Sequence, residues 1–534
     1  MANFSSVIRR MMSSQTDNIK VKADKGLKLP LEITLSVTKN SIDETVIQSL
    51  QQKLPLDNSE YSDRNLLEAL LQIRDVLSKV SCPVYERCPD ETSSANEYIE
   101  AKAFWAKQLT LFKIEERMDI ILAKERHQLT SQQNEIVVHG VWIMTVVYRE
   151  NDYLKRYLSK NDIVAHMLKL TSRTDDCDVA RRCVELITSI LSDDVCCHLV
   201  HINTEFIETL LAKLATARGD FEAGCMTRSC TRCQVAVKIQ AQILHFFSAL
   251  FIRDLPVSRP LLVKVILCCC HALSSESRDV VSAALEALFR SSDKHECVFT
   301  KTVIDHGLVP ALVTHICSDD DCMRKSALYM VGDLLLGNET TSTQILRSSL
   351  LNHISFLILT NERSTNQVAW IVSNFAADGA RQVDAVFDYH LLPIIIGLLS
   401  APRDWIVLDS LWVIHNLFHC GSREQIQTVL ANDAYGIIAD VMSMLSVWLT
   451  RAEAKSSETA EDIVVQLFAI AELLCGWLLD IDSTSTKSSL AIIRVEMSRE
   501  FYDSFSEQPK FYRPICYIKS RCREETWEEP ASDE

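Results

Sequence analysis

From Asn65 onward, apolar residues return at helical spacing, beginning with Leu66, Leu67, Leu70, Leu71 and Ile73. The pattern then repeats in units of roughly forty residues. One unit opens near Met323 with Ser326-Ala327-Leu328-Tyr329-Met330-Val331-Gly332-Asp333, turns at Gly337, continues through Ile345 and Leu346, and ends in the apolar run Ile354 to Leu359. The next repeats this order with Val368 to Asn374, Gly379, Val383 to Tyr389 and Leu391 to Ile396, and a third runs from Trp412 to Asn416, Gly421, Gln425 to Leu430 and Gly436 to Leu445. Gly379 and Gly421 each lie five residues after an asparagine, an offset that predicts a left-handed helix C-terminal turn. Pro310 and Pro393 each stand before an apolar helix, where proline suits a first turn.

Earlier units are more eroded. Gly140 to Met144 opens one, Cys183 to Ile187 opens the next, and Ala283-Ala284-Leu285 marks another. Between them, the helix Gln242 to Leu250 arrives late, so residues 219–233 read as an inserted loop. Asp462 to Leu479 reads as one strong helix after a polar linker, Thr450 to Thr459. Residues 1–60 are the least patterned, although Leu29 to Val37 alternates like a short strand or an extended arm. Three regions follow: an N-terminal arm over 1–60, partly disordered; a repeat solenoid over 61–480; and a C-terminal helix with an acidic tail over 481–534. A forty-residue helical period is that of armadillo and HEAT arrays, so the expected fold is all-α and solenoidal.

Composition sharpens this picture. Gly and Pro number only 12 each, which favours helices joined by short turns over strands and hairpins. The formal charge of -16 argues against non-specific attraction to nucleic acid or anionic membrane and suits basic ligands. No apolar run of about 18 residues is seen, and no apolar stretch follows Arg9 and Arg10, so neither a membrane span nor a secretory leader is expected. Many of the 19 cysteines fall inside apolar helical runs and read as small buried hydrophobes of a reducing compartment.

The candidate chemistry is a pair of pentapeptides, Trp370-Ile371-Val372-Ser373-Asn374 and Trp412-Val413-Ile414-His415-Asn416, starting 42 residues apart. Positions i and i+4 share one helix face. An asparagine amide carries both donor and acceptor for a peptide backbone, and an indole face attracts a cationic side chain. Asparagine is also a mediocre helix former, so its recurrence mid-helix asks for a reason. Cys225, Cys230 and Cys233, with His245 nearby, lack a second C-x2-C pair, and a cysteine-bearing loop without metal is the better reading. Cys268-Cys269-Cys270-His271 reads as core filling rather than a nucleophile and its base. Without a phosphate loop, dinucleotide fingerprint or metalloprotease motif, the chain is expected to be no enzyme and to hold no cofactor or metal.

The block Ala327 to Leu445 resembles the later repeats of the importin-alpha family, the adaptors that carry proteins with basic nuclear localisation signals. The matching residues are Ala327 to Asp333, both Trp-x-x-x-Asn pairs, and Gly421-Ser422-Arg423-Glu424-Gln425-Ile426. The resemblance is specific over about 120 residues and degraded elsewhere between about residues 64 and 480. It implies an all-α armadillo-repeat right-handed superhelical solenoid, whose third-helix Trp and Asn residues line a concave groove for extended Lys/Arg-rich peptides. It implies that Trp370, Asn374, Trp412 and Asn416 form the ladder of the family's minor peptide site. Asp409 and Glu339 fall at its acidic positions. Asp333 stands where the family usually has Asn, and Tyr329 where typical members also lack Trp.

In the early repeats the family's major-site pattern fails. Trp142 remains, but its partner is Val146, and the next pairs read Glu185 and Ser189, His245 and Ala249, Leu285 and Phe289. Asp193 alone falls at an acidic major-site position. Residues 1–60 hold Arg9, Arg10, Lys20, Lys22, Lys25 and Lys28 without the dense basic cluster through which the family binds importin-beta. The implied partners are therefore proteins with Lys/Arg-rich linear motifs, with an export receptor possible in principle and importin-beta in question. Nuclear import, with residence in cytoplasm and nucleus, is the implied role; a scaffold for a non-transport partner is the alternative.

Overall fold

A computed structural model of the chain describes residues 44–54, 62–80, 110, 112–123, 129–149, 151–222, 230–253, 257–335, 339–348, 350–360, 365–427 and 458–480, with 441, 444, 447 and 448. Among these residues the secondary structure is helical throughout. The helices are α1 (Glu44–Lys53), α2 (Asp63–Val80), α3 (Ile114–Leu122), α4 (Ser131–Val147), α5 (Asp152–Lys160), α6 (Ile163–Arg173), α7 (Cys177–Ser192), α8 (Thr204–Glu222) and α9 (Thr231–Ile252). They continue as α10 (Arg259–Ala272), α11 (Arg278–Lys294), α12 (Glu296–Asp305), α13 (Val309–Val313), α14 (Asp321–Leu335), α15 (Glu339–Leu346), α16 (Leu350–Thr360), α17 (Thr365–Ala376), α18 (Ala380–Asp388), α19 (Leu391–Leu398), α20 (Asp404–Cys420) and α21 (Glu458–Asp480).

One row of helices forms the spine. The helices α2, α4, α7, α9, α11, α14, α17, α20 and α21 pack each against the next in that order. Shorter helices pack against members of the row. Three-helix units are complete in α5–α6–α7, α12–α13–α14, α15–α16–α17 and α18–α19–α20. Between α7 and α9 the first helix shrinks to a single 3-10 turn, Cys197–Leu199, and between α9 and α11 α10 stands alone. These abbreviated units explain why the sequence pattern weakens in the first half.

The helices begin where the local chemistry favours it. Thr130 and Gln133 cap α4 reciprocally, each side chain bonding the other's backbone N–H. Asp176 caps α7 through Asp178 and Val179. Pro310 opens α13 and Pro393 lies in the first turn of α19, as their spacing predicts. Residues 219–222 belong to α8 and 231–233 to α9, so the expected inserted loop narrows to the residues between them. Part of the expected N-terminal arm, Glu44–Lys53, is helix. The expected strand at 29–37, the polar linker's core and the region 481–534 lie outside the described residues.

Gly379 adopts φ 130 and so requires glycine, but Gly421 has φ -66, an ordinary extended value. A Cβ on Gly421 would meet the Leu417 carbonyl oxygen at 2.5 Å, so it is close backbone approach that excludes a side chain there. By length and composition α9 could cross a bilayer, yet most of it is buried against α7, α8 and α11. It serves as a core helix.

Candidate functional site

The two predicted asparagines occupy equivalent places on neighbouring spine helices. On α20, Asn416 Nδ2 donates to the Ser373 carbonyl of α17 at 2.8 Å, and Asn374 Nδ2 donates to the Gly332 carbonyl of α14 at 3.4 Å. The Ser373 carbonyl also accepts the helical Ala377 N–H at 3.1 Å, so the amide adds to the ladder without breaking it. Each asparagine thus tethers its helix to the one before, which supplies the reason for asparagine mid-helix. Among the described residues one N–H and the carboxamide oxygen of each make no further hydrogen bond, enough to donate to and accept from an extended backbone.

The aromatic rungs differ from a row of open slots. Trp370 is 4 % exposed, with its indole over the backbone of Gly332. Its ring lies 6.1 Å from that of Tyr329, which lies 5.8 Å from Phe289. Phe289, Tyr329 and Trp370 therefore form one continuous ladder across α11, α14 and α17. Phe289 stands at the Tyr329 rung, not at the asparagine position to which sequence spacing assigns it, while Leu285 is buried in the core. Trp412 is half-buried, with His415 edge-on at 5.3 Å. Burial pushes the His415 imidazole down to about 4, with His419 adding to the shift, so it is neutral near pH 7.

Negative charge gathers at the same rungs. Burial raises the Tyr329 phenol, a hydrogen bond with Gln367 works against this, and the charges of Asp409 and Asp333 raise it further, so both carboxylates lie within electrostatic reach of this ring. Asp333 occupies the asparagine position of α14. A carboxylate has no donor for the preceding helix, and the bond is reversed: Ser292 Oγ donates to Asp333 Oδ2 at 3.4 Å. Glu339 opens α15, and its side chain lies outside the described residues.

The early half is built differently. Trp142, expected to offer an indole face, has the Arg182 guanidinium 6.0 Å from its ring centroid. Arg182 is held there by Glu185 at 2.7 Å, and Glu185 stands where the next rung would carry Trp. The slot is filled from within. Asp193 caps the turn after α7 through Val195 and Cys196 and pairs with Lys155 at 3.1 Å, and these bonds hold its carboxyl below the usual range despite burial. Beside it a groove of ≈ 900 Å³ is lined by Thr188, Ser189, Asp193, His245, Ser248 and Glu286. Ser189 and Thr188 donate to carbonyls of their own helix, so these hydroxyls do not replace the missing amides. His245 pairs with Glu286 at 3.3 Å.

Sequence reasoning missed Arg182, Phe289 and Trp477. The indole N–H of Trp477 donates to the Phe418 carbonyl at 2.9 Å and ties α21 to the spine. Among the described residues no cluster of His, Cys, Asp and Glu could hold a metal ion.

No family model matches the chain, and no curated protein does. Among solved structures, an engineered protein of the Northeast Structural Genomics Consortium aligns over 89% of this chain and 99% of its own, at 12% identity and a TM-score of 0.59. That likeness shows the fold alone; the recurring three-helix units name it. The fold is an armadillo-repeat solenoid. A designed armadillo repeat protein in complex with the peptide (KR)4 aligns over 48% of this chain and 98% of its own, at 16% identity and a TM-score of 0.38. Within the armadillo solenoid of this chain, the spine helices carry every predicted groove residue except Glu339 and Asp193.

Proposed function

We propose that this chain is an importin-alpha-like adaptor whose C-terminal third helices bind an extended, Lys/Arg-rich peptide, serving nuclear import from the cytoplasm. The observation that carries the reading is the matched pair of tethers at Asn374 and Asn416, which fix two amides in the same orientation one repeat apart. Packed helices lie about 8–10 Å apart. An extended chain advances about 3.3–3.6 Å per residue. Each rung therefore spans two to three peptide residues, and the amides can hold alternate stretches of one backbone. Asp409 and Asp333 supply the charge for a basic side chain, and Trp412 the face on which its stem rests.

The reading also restricts the site. Arg182 covers Trp142, and the early rungs lack amides, so a signal with two basic clusters would find one groove rather than two. Burial of Trp370 favours a second reading, an armadillo scaffold for a non-transport protein partner that keeps the ladder for packing. Calorimetric titration of a Lys/Arg-rich peptide into the full chain, at low and high salt, tests the groove. Binding should weaken with salt and with Asp409→Asn/Trp412→Ala. Equal affinity in that variant overturns the groove assignment. Co-purification separates the roles: recovery of importin-beta or an export receptor supports transport, and a stable complex with neither supports the scaffold.

A further inference from the structure

Cys230-Thr231-Arg232-Cys233 stands at the start of α9, the 22-residue core helix of the early repeats. Cys230 is the N-cap residue, with extended backbone (φ -68, ψ 155), and its sulfur accepts the Cys233 N–H at 3.5 Å. Sulfur is a weak acceptor, and Ser, Thr, Asp or Asn would cap the helix better. Capping therefore does not account for a cysteine here. The Cys233 sulfur lies 3.2 Å from that of Cys230. Two thiolates sharing a tetrahedral zinc, with Zn–S near 2.3 Å, would stand about 3.8 Å apart. The observed contact is shorter than that spacing and puts the two thiols within reach of each other.

We propose that Cys230 and Cys233 form a redox-active dithiol that small-molecule disulfides such as glutathione disulfide close reversibly. The two thiols have distinct exposures, Cys230 part-exposed and Cys233 fully buried, which divides the work between them. The Cys230 thiolate attacks one sulfur of glutathione disulfide and forms a mixed disulfide, releasing one glutathione thiolate. The Cys233 thiolate then attacks the Cys230 sulfur and releases the second. The dithiol loses two electrons and two protons, and glutathione disulfide becomes two glutathione thiols. A C-x-x-C pair at a helix N-terminus is the arrangement in which such exchange is fast and reversible. The site is independent of the peptide groove, since its residues face the α8 side, where Arg232 pairs with Asp220 at 2.5 Å.

The test treats the native full-length chain with glutathione disulfide, alkylates the remaining thiols, and maps tryptic peptides by mass spectrometry. Cleavage after Arg228, Arg232 and Lys238 places the two cysteines on separate peptides, Ser229–Arg232 and Cys233–Lys238. The expected product is these two peptides joined, lighter by two hydrogens, and separated again by dithiothreitol. In Cys233→Ser the mixed disulfide should collect on Cys230, about tenfold faster than on Cys233 in Cys230→Ser, because access sets the rate of attack. Alkylation of both cysteines after oxidant treatment overturns the proposal. So does stoichiometric zinc that protects both thiols until a chelator is added. Equal trapping in the two variants overturns the assigned roles.

Discussion

Gly332→Ala tests how the rungs are packed. A Cβ on Gly332 would lie 2.0 Å from Trp370 Cζ3 and 2.5 Å from Cη2. Carbon atoms in ordinary contact stand about 3.5–4.0 Å apart, so the indole must retreat by about 1.5 Å. It has little room, being 4 % exposed and backed by the Tyr329 ring. Helix propensity alone would make alanine better than glycine by about 1 kcal/mol. Overpacking of this kind costs about 1–3 kcal/mol, and a clash this close belongs at the upper end. The net expectation is a loss of about 1–2 kcal/mol. Urea denaturation followed by circular dichroism reads this, and the same change is made in a Trp370→Ala background. There the space is open, and Gly332→Ala should stabilise by up to the propensity gain. If the substitution stabilises both backgrounds equally, Trp370 does not lie over Gly332 and the reasoning is refuted.

Two further outcomes follow from buried charge. Burial pushes the Glu115 carboxyl, 2 % exposed on α3, from 4.5 up to about 7. The folded state therefore binds more protons than the unfolded between those values, and stability should fall by about 3 kcal/mol as pH rises through that window. Glu115→Gln removes the dependence, so its melting temperature should gain on wild type between pH 5 and pH 8; parallel profiles contradict the burial argument. At Trp142, a double-mutant cycle with Arg182→Ala and Trp142→Ala should show a favourable coupling of about 0.5–1 kcal/mol by denaturation. Zero coupling means that Arg182 does not occupy the indole face.

The helices and their forty-residue period were legible because amphipathic spacing and caps are local properties. The placement of Trp370 with Asn374, and of Trp412 with Asn416, was legible because i and i+4 on one helix share a face. What escaped depends on how neighbouring helices rotate against each other. Arg182 reaches Trp142 from the next helix of the spine, 40 residues on, and nothing in its own surroundings marks it. Phe289 was placed one turn out of register because the abbreviated units before it disturb the period. The left-handed turn expected at Gly421 is absent; what excludes a side chain there is close approach to the Leu417 carbonyl, which the spacing does not reveal. Burial of Trp370 was invisible for the same reason: its partner, Gly332, lies a full repeat away.

The measurement that bears most directly on the central claim is fluorescence anisotropy of a labelled Lys/Arg-rich peptide with wild type and Asn374→Ala/Asn416→Ala. Each lost hydrogen bond is worth about 0.5–1.5 kcal/mol, so removing both amides should weaken binding by about tenfold to a hundredfold. Circular dichroism on the same samples separates this from the lost tethers to Gly332 and Ser373. Trp142→Ala should leave the affinity unchanged, since Arg182 already fills that face. Undiminished binding by the folded double variant, or a loss confined to Trp142→Ala, would contradict a peptide groove in the C-terminal repeats.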